Sequence, residues 1–157
     1  MAAGDHGWAD GLRRRYFPPE RNRLPAHITL FHHLPPSCVD ELQGALAVLV
    51  KEPRPPARID RLLSIGNGVA LHIDSPALLA MREQLAERFH GLLTPQDRAT
   101  PRLHITIQNK VSATEARLTL AALDQDFRPR MLAIAGLAAW YYDDGAWSLI
   151  RRFGFRG

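Results

Sequence analysis

The tetrapeptide His27-Ile28-Thr29-Leu30 returns as His104-Ile105-Thr106-Ile107, and this near-repeat constrains the chain more than any other feature. With seven His and six Thr in 157 residues, about 0.3 His-x-Thr triplets are expected by chance. Two occur, each with Ile at its centre and an aliphatic residue after it. Both stretches are β-branched and apolar apart from the His and Thr, which predicts strands over residues 26–33 and 103–109. On a strand, residues two apart share a face, so His27 stands with Thr29 and His104 with Thr106. A fold that opposes those faces brings two imidazoles and two hydroxyls into one small space, a set of groups suited to a phosphate.

More than the tetrapeptide recurs. Ahead of the first copy, Trp8, Leu12 and Tyr16 at four-residue spacing predict a helix over residues 8–16, stopped by Phe17-Pro18-Pro19. After it, Ser37 reads as an N-cap with Asp40 at N3, opening a helix to residue 51 that buries Leu42, Leu46, Leu49 and Val50. Strands over 58–65 and 69–74 follow, joined by a Gly66-Asn67-Gly68 turn. Ser75-Pro76 then opens a helix to about residue 93, and 94–101 is a polar loop before the second copy. Ser112 to Glu115 is a capping box for a helix to residue 126. A long strand over 131–142, a turn at Asp143-Asp144-Gly145 and a strand over 147–155 complete the chain. Residues 1–7 lack periodicity and read as a ragged start. The order helix, His-x-Thr strand, Ser-capped helix, strand, turn, strand thus occurs twice, which divides the chain into pseudo-repeats of about 8–68 and 69–157. Neither half is large enough to bury a core alone, so a single bilobal α+β domain is expected.

Composition narrows the setting. The net charge of +4 favours polyanionic partners, although nearly all of the excess is Arg in an Ala- and Leu-rich chain. Residues 13–23 hold five Arg against one Glu, a segment that serves either as a solvated face or as a basic rim drawing phosphates. No apolar run reaches the 18 or so residues of a membrane span, and no charged start followed by an apolar stretch marks a secretory signal. The single Cys38 excludes an internal disulfide and fits a reducing, cytoplasmic compartment, where a packed thiol is expected.

The stretches Phe17-Pro-Pro-Glu-Arg-Asn-Arg-Leu-Pro-Ala-His-Ile-Thr-Leu-Phe31 and Arg102-Leu-His-Ile-Thr-Ile-Gln-Asn-Lys110 resemble the 2H phosphoesterase superfamily, in particular its bacterial 2′-5′ RNA ligase-like members. The resemblance implies a duplicated bilobal fold, with two antiparallel sheets flanking a central cleft and helices outside. It implies hydrolysis of 2′,3′-cyclic phosphate ends of RNA or of cyclic nucleotides, to the 2′-phosphate, with no required metal or other cofactor; a monomer is expected. Joining of ends through a 2′-5′ bond in the same site is the alternative, and a non-catalytic RNA-binding module of the same fold is a second. Two departures stand out. Such proteins usually begin with an apolar strand that residues 1–7 do not supply, and many carry an Arg soon after the second motif where this chain has Gln108, Asn109 and Lys110.

Opening a cyclic phosphate requires removal of a proton from water on one side of phosphorus and delivery of one to the departing oxygen on the other. His serves either end near neutral pH. His27, Thr29, His104 and Thr106 are therefore the candidate catalytic residues, with His104 assigned as base and His27 as acid in a site whose pseudo-symmetry also permits the swap. The two Thr hydroxyls are candidate donors to the phosphoryl oxygens. Strand parity adds Phe31 to the His27 face, to stack a base or to pack in the core, and places Gln108 and Lys110 on the His104 face as candidate substrate contacts. Tyr141 and Tyr142 read as core or rim. His32, His33 and His72 have no metal-ligand spacing among them.

Overall fold

A computed structural model describes residues 1–156. Helix α1 spans Ala3–Tyr16, several residues more than the apolar spacing predicts. The early turns are anchored rather than ragged. The Ala2 amide donates to the Ala133 carbonyl at 2.8 Å, and the Asp5 carboxylate accepts from the Ala133 amide at 2.9 Å and from Arg130 at 3.0 Å. Asp5 also lies in the first turn, where a negative charge complements the exposed helix amides. Helix α2 spans Val39–Leu49 and is preceded by a 3-10 turn at Pro36–Cys38. Ser37 therefore lies inside that turn and does not cap α2, whose N-cap is Cys38 without a side-chain bond. Leu46, Leu49 and Val50 are buried as expected, and Leu42 packs half-buried against them.

Strands β1 (Pro56–Ser64) and β2 (Val69–Asp74) form the expected hairpin. Helix α3 (Pro76–Arg88) follows, with the Ser75 hydroxyl accepting from the Leu78 amide as its cap. A short helix α4 (Pro95–Arg98) stands where a polar loop was expected; Pro95 at its start and the Thr94 cap account for it. Next come β3 (His104–Gln108) and α5 (Ala113–Asp126), the latter capped by Ser112 accepting from the Glu115 amide.

The long strand expected over 131–142 is two strands: β4 (Arg130–Ala133) and β5 (Gly136–Asp143). Between them the chain crosses from one sheet to the other, because Ile134 turns into the core and Gly136 meets the Phe153 backbone. A Cβ on Gly136 would lie 2.2 Å from the Phe153 carbonyl oxygen. Strand β6 (Ala146–Gly154) pairs with β5 through a turn in which Asp144 and Gly145 have φ of 40° and 86°, the signature of a type I′ hairpin.

The architecture is α+β with two antiparallel sheets, a curled four-stranded one in the order β3-β2-β1-β4 and a two-stranded one of β5 and β6. The sheets do not follow the pseudo-repeats. The β1–β2 hairpin straddles the boundary between them, and its β2 pairs with the second His-x-Thr strand while the first motif pairs with no described strand. On the core face of the large sheet, Ile59, Leu71, Ile73, Ile105 and Ile107 pack with Leu78, Met81 and Leu85 of α3. The opposite face, by the register of β2 and β3, carries Ala70, His72, His104 and Thr106.

The first motif is not a strand. Residues 22–35 form no ladder with any described strand, so the alternation expected for 26–33 has no sheet to act on. Its backbone amides bond to carboxylates instead, which the next section describes.

Candidate active site

His104 lies on β3, and its Nδ1 is 2.7 Å from the carbonyl oxygen of Arg102, two residues earlier. His27 lies in the irregular first motif, and its Nδ1 is likewise 2.7 Å from the carbonyl oxygen of Pro25, two residues earlier. A carbonyl oxygen only accepts, so each Nδ1 carries the proton and each Nε2 is left to meet a ligand. The two histidines thus have the same local wiring although only one sits in a ladder.

The rings are close enough to feel each other's charge. The His27 pKa is lowered chiefly by partial desolvation of the ring by neighbouring protein atoms, although the residue stays exposed; the Pro25 carbonyl opposes this, while Arg13 and His104 add to it through their charge. Thr29 and Thr106 are both half-buried beside their histidines.

Arg13 of α1 joins the two motifs. It is 4 % exposed, and its guanidinium donates to the Thr106 carbonyl at 2.6 Å, to Asn22 Oδ1 at 2.9 Å and to the Leu24 carbonyl at 3.2 Å. One buried cation therefore ties β3 to the segment that leads into His27. The Phe17 ring lies under the same guanidinium, 4.3 Å from its centroid. Sequence reading treated residues 13–23 as one basic face and missed this residue. The available signal was its spacing: Ala9 and Arg13, four apart on α1, are the buried pair of the helix.

Carboxylates fix the first motif at both ends. Ahead of it, Asp10 accepts from the Ala26 amide at 3.0 Å. Behind it, Asp97 of α4, 2 % exposed, accepts from the His32 and His33 amides at 2.9 and 3.0 Å and from the His32 ring at 3.0 Å. Burial would raise the Asp97 pKa, but these donors and the Thr94 hydroxyl outweigh it and hold the carboxyl below its ordinary range.

The remaining sequence candidates divide. Phe31 packs against the core with the buried Arg82 guanidinium 4.7 Å from its ring centroid, the packing role of the two left open for it. Gln108 is 1 % exposed and donates to Thr119 Oγ1 at 3.0 Å, so it pins α5 to β3 and is not a solvent-facing contact. Its departure from strand parity follows the irregularity where Val69 faces Gln108 but Ala70 faces Thr106. Lys110 is exposed just past the end of β3, at a positive φ of 65°.

A third imidazole stands beside the pair. His72 is opposite His104 across β2 and β3, and its Nδ1 lies 2.5 Å from Asp60 Oδ1. A groove of about 540 Å³ beside β1 and α5 shares Asp60 with this pair, and neither motif histidine lines it. Cys38 is buried and donates its S–H to the Pro35 carbonyl at 3.0 Å; burial raises its pKa, so it is a packed thiol. Among the described residues, no three or more His, Cys, Asp or Glu side chains group closely enough to hold a metal ion. Nor, among those residues, is any helix long and apolar enough to cross a membrane.

Two antiparallel sheets with outer helices and a paired His-x-Thr motif define a class, and comparison of the sequence with protein families agrees. The family described as the 2′-5′ RNA ligase superfamily matches residues 3–146. The chain belongs to that superfamily, which is the 2H phosphoesterase superfamily. A comparison with curated proteins returns no match.

Proposed function

We propose that this protein is a phosphodiesterase that opens 2′,3′-cyclic phosphate ends of RNA, or of the corresponding nucleotides, with His27 and His104 as its acid–base pair and no metal in the reacting step. The observation that carries this reading is the matched pair of Nδ1–carbonyl bonds, each leaving an Nε2 free. Membership of the superfamily supports the substrate class.

In this reading a water oxygen attacks phosphorus while one imidazole takes its proton, and the P–O3′ bond breaks while the other imidazole protonates the departing oxygen. The product is a 2′-phosphate with a free 3′-hydroxyl. The lowered pKa of His27 keeps its ring neutral, and so able to take a proton, to lower pH than an ordinary imidazole, which favours the base role for it. His104 then donates. This is the reverse of the assignment taken from the sequence. Thr29 and Thr106 hydroxyls steady the phosphoryl oxygens, and Lys110 remains available to an approaching phosphate as a point charge. Ligation would use the same residues, with a 5′-hydroxyl in place of water: it loses its proton to one imidazole as it attacks the 2′,3′-cyclic phosphate, the P–O3′ bond breaks, and the other imidazole protonates the departing 3′-oxygen, leaving a 2′-5′ bond.

The experiment is incubation of the protein, with EDTA present, with a nucleoside 2′,3′-cyclic monophosphate. Turnover by the parent protein, lost in His27→Ala and in His104→Ala, is the expected result. Nucleotide retention without product in the parent protein would instead identify a binding module.

A further inference from the structure

The β5–β6 hairpin exposes a set of aromatic and apolar side chains that no other described residue covers. Tyr142 and Trp147 are 62 % and 42 % exposed and lie directly opposite each other, with ring centroids 4.8 Å apart and planes tilted by 49°. The register pairs Trp140 with Leu149, two positions from Tyr142 and Trp147, so all four share one face of the sheet. Leu149 is itself 40 % exposed. Exposed apolar faces of this kind mark binding surfaces more often than scattered single residues do.

Cations and position indicate the occupant. Arg152, paired with Ala138 two positions from Trp140, is exposed on the ring face, whereas Arg151 pairs with Ala139 on the other face, its guanidinium 5.2 Å from the Phe153 ring centroid. Arg23 donates to the Gly145 carbonyl at the hairpin tip at 3.0 Å. Arg23 also immediately precedes Leu24, which Arg13 binds, three residues ahead of His27. The hairpin tip is thus tied to the segment that leads into the first motif. Flat rings beside arginines suit unpaired nucleobases, because every base offers a π-face and each phosphate a charge.

We propose that the β5–β6 hairpin is a stacking platform for single-stranded RNA upstream of the reacting end, with Tyr142 and Trp147 as its base contacts. This deepens the function proposed above, in that the natural substrate is an RNA strand and not a mononucleotide. The platform acts on affinity and leaves the acid–base pair alone.

The test is binding, so that it does not depend on turnover. Affinities are measured by fluorescence titration and calorimetry for a single-stranded 12-mer RNA ending in a 2′-phosphate and for the matching nucleoside 2′-monophosphate. The parent protein is expected to bind the 12-mer at least tenfold more tightly. Trp147→Ala and Tyr142→Ala are each expected to cut that ratio about 5- to 100-fold, the range for loss of one stacked base. Leu118→Ala, an exposed apolar residue on α5, serves as control and leaves the ratio unchanged. Equal affinity for the two ligands in the parent protein, or a ratio untouched by both ring deletions, overturns the proposal. So does concentration-dependent dimerisation abolished by Trp147→Ala, which would make the face a contact between copies. Failure of the cyclic phosphate assay with the platform intact would remove only the catalytic reading.

Discussion

His104 Nδ1 and the carbonyl oxygen of Arg102 lie 2.7 Å apart, the same separation as His27 Nδ1 and the carbonyl of Pro25. Each bond closes within the backbone of its own motif, so the ring is aimed locally. A side chain that keeps the donor near Cβ but lacks the far nitrogen separates orientation from chemistry. His104→Asn and His27→Asn supply an amide where Nδ1 stood. Each is expected to reduce cyclic phosphate turnover by about 10²- to 10⁴-fold, the worth of one proton-transfer role. Thermal melts should move little, since the rings contribute no large buried surface.

Arg13 gives a second prediction. It is buried between the two motifs and charges the surroundings of His27, together with His104 across the site. Asp10, on the same helix, bonds the neighbouring Ala26 amide and partly offsets the Arg13 charge. Arg13→Met removes both clamp and charge, whereas Arg13→Lys restores a charge without the fork. The Met variant is expected to lose about 10²-fold in kcat, as for a reacting group displaced by about 1 Å. NMR titration should place the His27 pKa higher in Arg13→Met than in the parent and nearer the parent in Arg13→Lys. An unchanged kcat in a folded Met variant would show that Arg13 does not position the pair.

The lowered His27 pKa also sets a sign for stability. Between the folded value and the ordinary 6.5, the unfolded chain binds more protons at this site than the native one. Stability must therefore rise with pH through that window, and the slope should flatten in His27→Ala. Urea unfolding at closely spaced pH values below 6.5 measures it. For the rate, the same shift carries the acid limb of kcat/KM below 6.5.

What the sequence allowed to be read was local. The caps at Ser75 and Ser112, strand β2 and the Asp143–Gly145 turn follow from residues a few positions apart, and they stand as expected. The two histidines were legible because their motif repeats. What escaped depends on partners far along the chain. The first motif has strand-like residues but no neighbour to pair with, and its amides go to Asp10 and to Asp97, 16 and 65 positions away. Gln108 obeys parity only until the β2–β3 register slips. Arg13 looked like any residue in an Arg-rich run, because its acceptors, at Thr106 and Leu24, are created by the fold. The joining of β3, β2, β1 and β4 into one sheet is likewise invisible to a repeat that records only order.

Asp97 is expected to be a structural weak point of the site. Asp97→Ala leaves the His32 and His33 amides without their acceptor and is expected to cost about 2–4 kcal/mol, from two part-buried donors at about 1–2 kcal/mol each. Because its folded pKa lies below 3.8, the stability it supplies is complete above that value and is lost as pH falls through the folded one. Denaturant melts at pH 7 and pH 3 should differ less in Asp97→Ala than in the parent. Hydrogen exchange should report loosening at residues 32 and 33 before any change in β3.

Gly68 carries the last prediction, and it separates two reasons for a glycine in a hairpin turn. Gly66 needs its positive φ of 78°, as the turn chemistry predicts. Gly68 does not have a positive φ; it is buried against β3, and a Cβ there would lie 1.9 Å from the Gln108 carbonyl oxygen and 2.7 Å from the Asn109 Cα. Backbone cannot yield as a side-chain tip can, so Gly68→Ala must push β2 and the end of β3 apart. The expected cost is about 2–4 kcal/mol, at the upper end for overpacking because the clash is with main chain. Gly66→Ala, strained only in its own dihedrals, should cost about 1 kcal/mol. Since β3 carries His104, Gly68→Ala should also lower cyclic phosphate turnover in the fraction that remains folded, whereas Gly66→Ala should not. Equal effects of the two substitutions on stability and rate would mean that the strands tolerate the extra atom and that the close approach does not fix the position of His104.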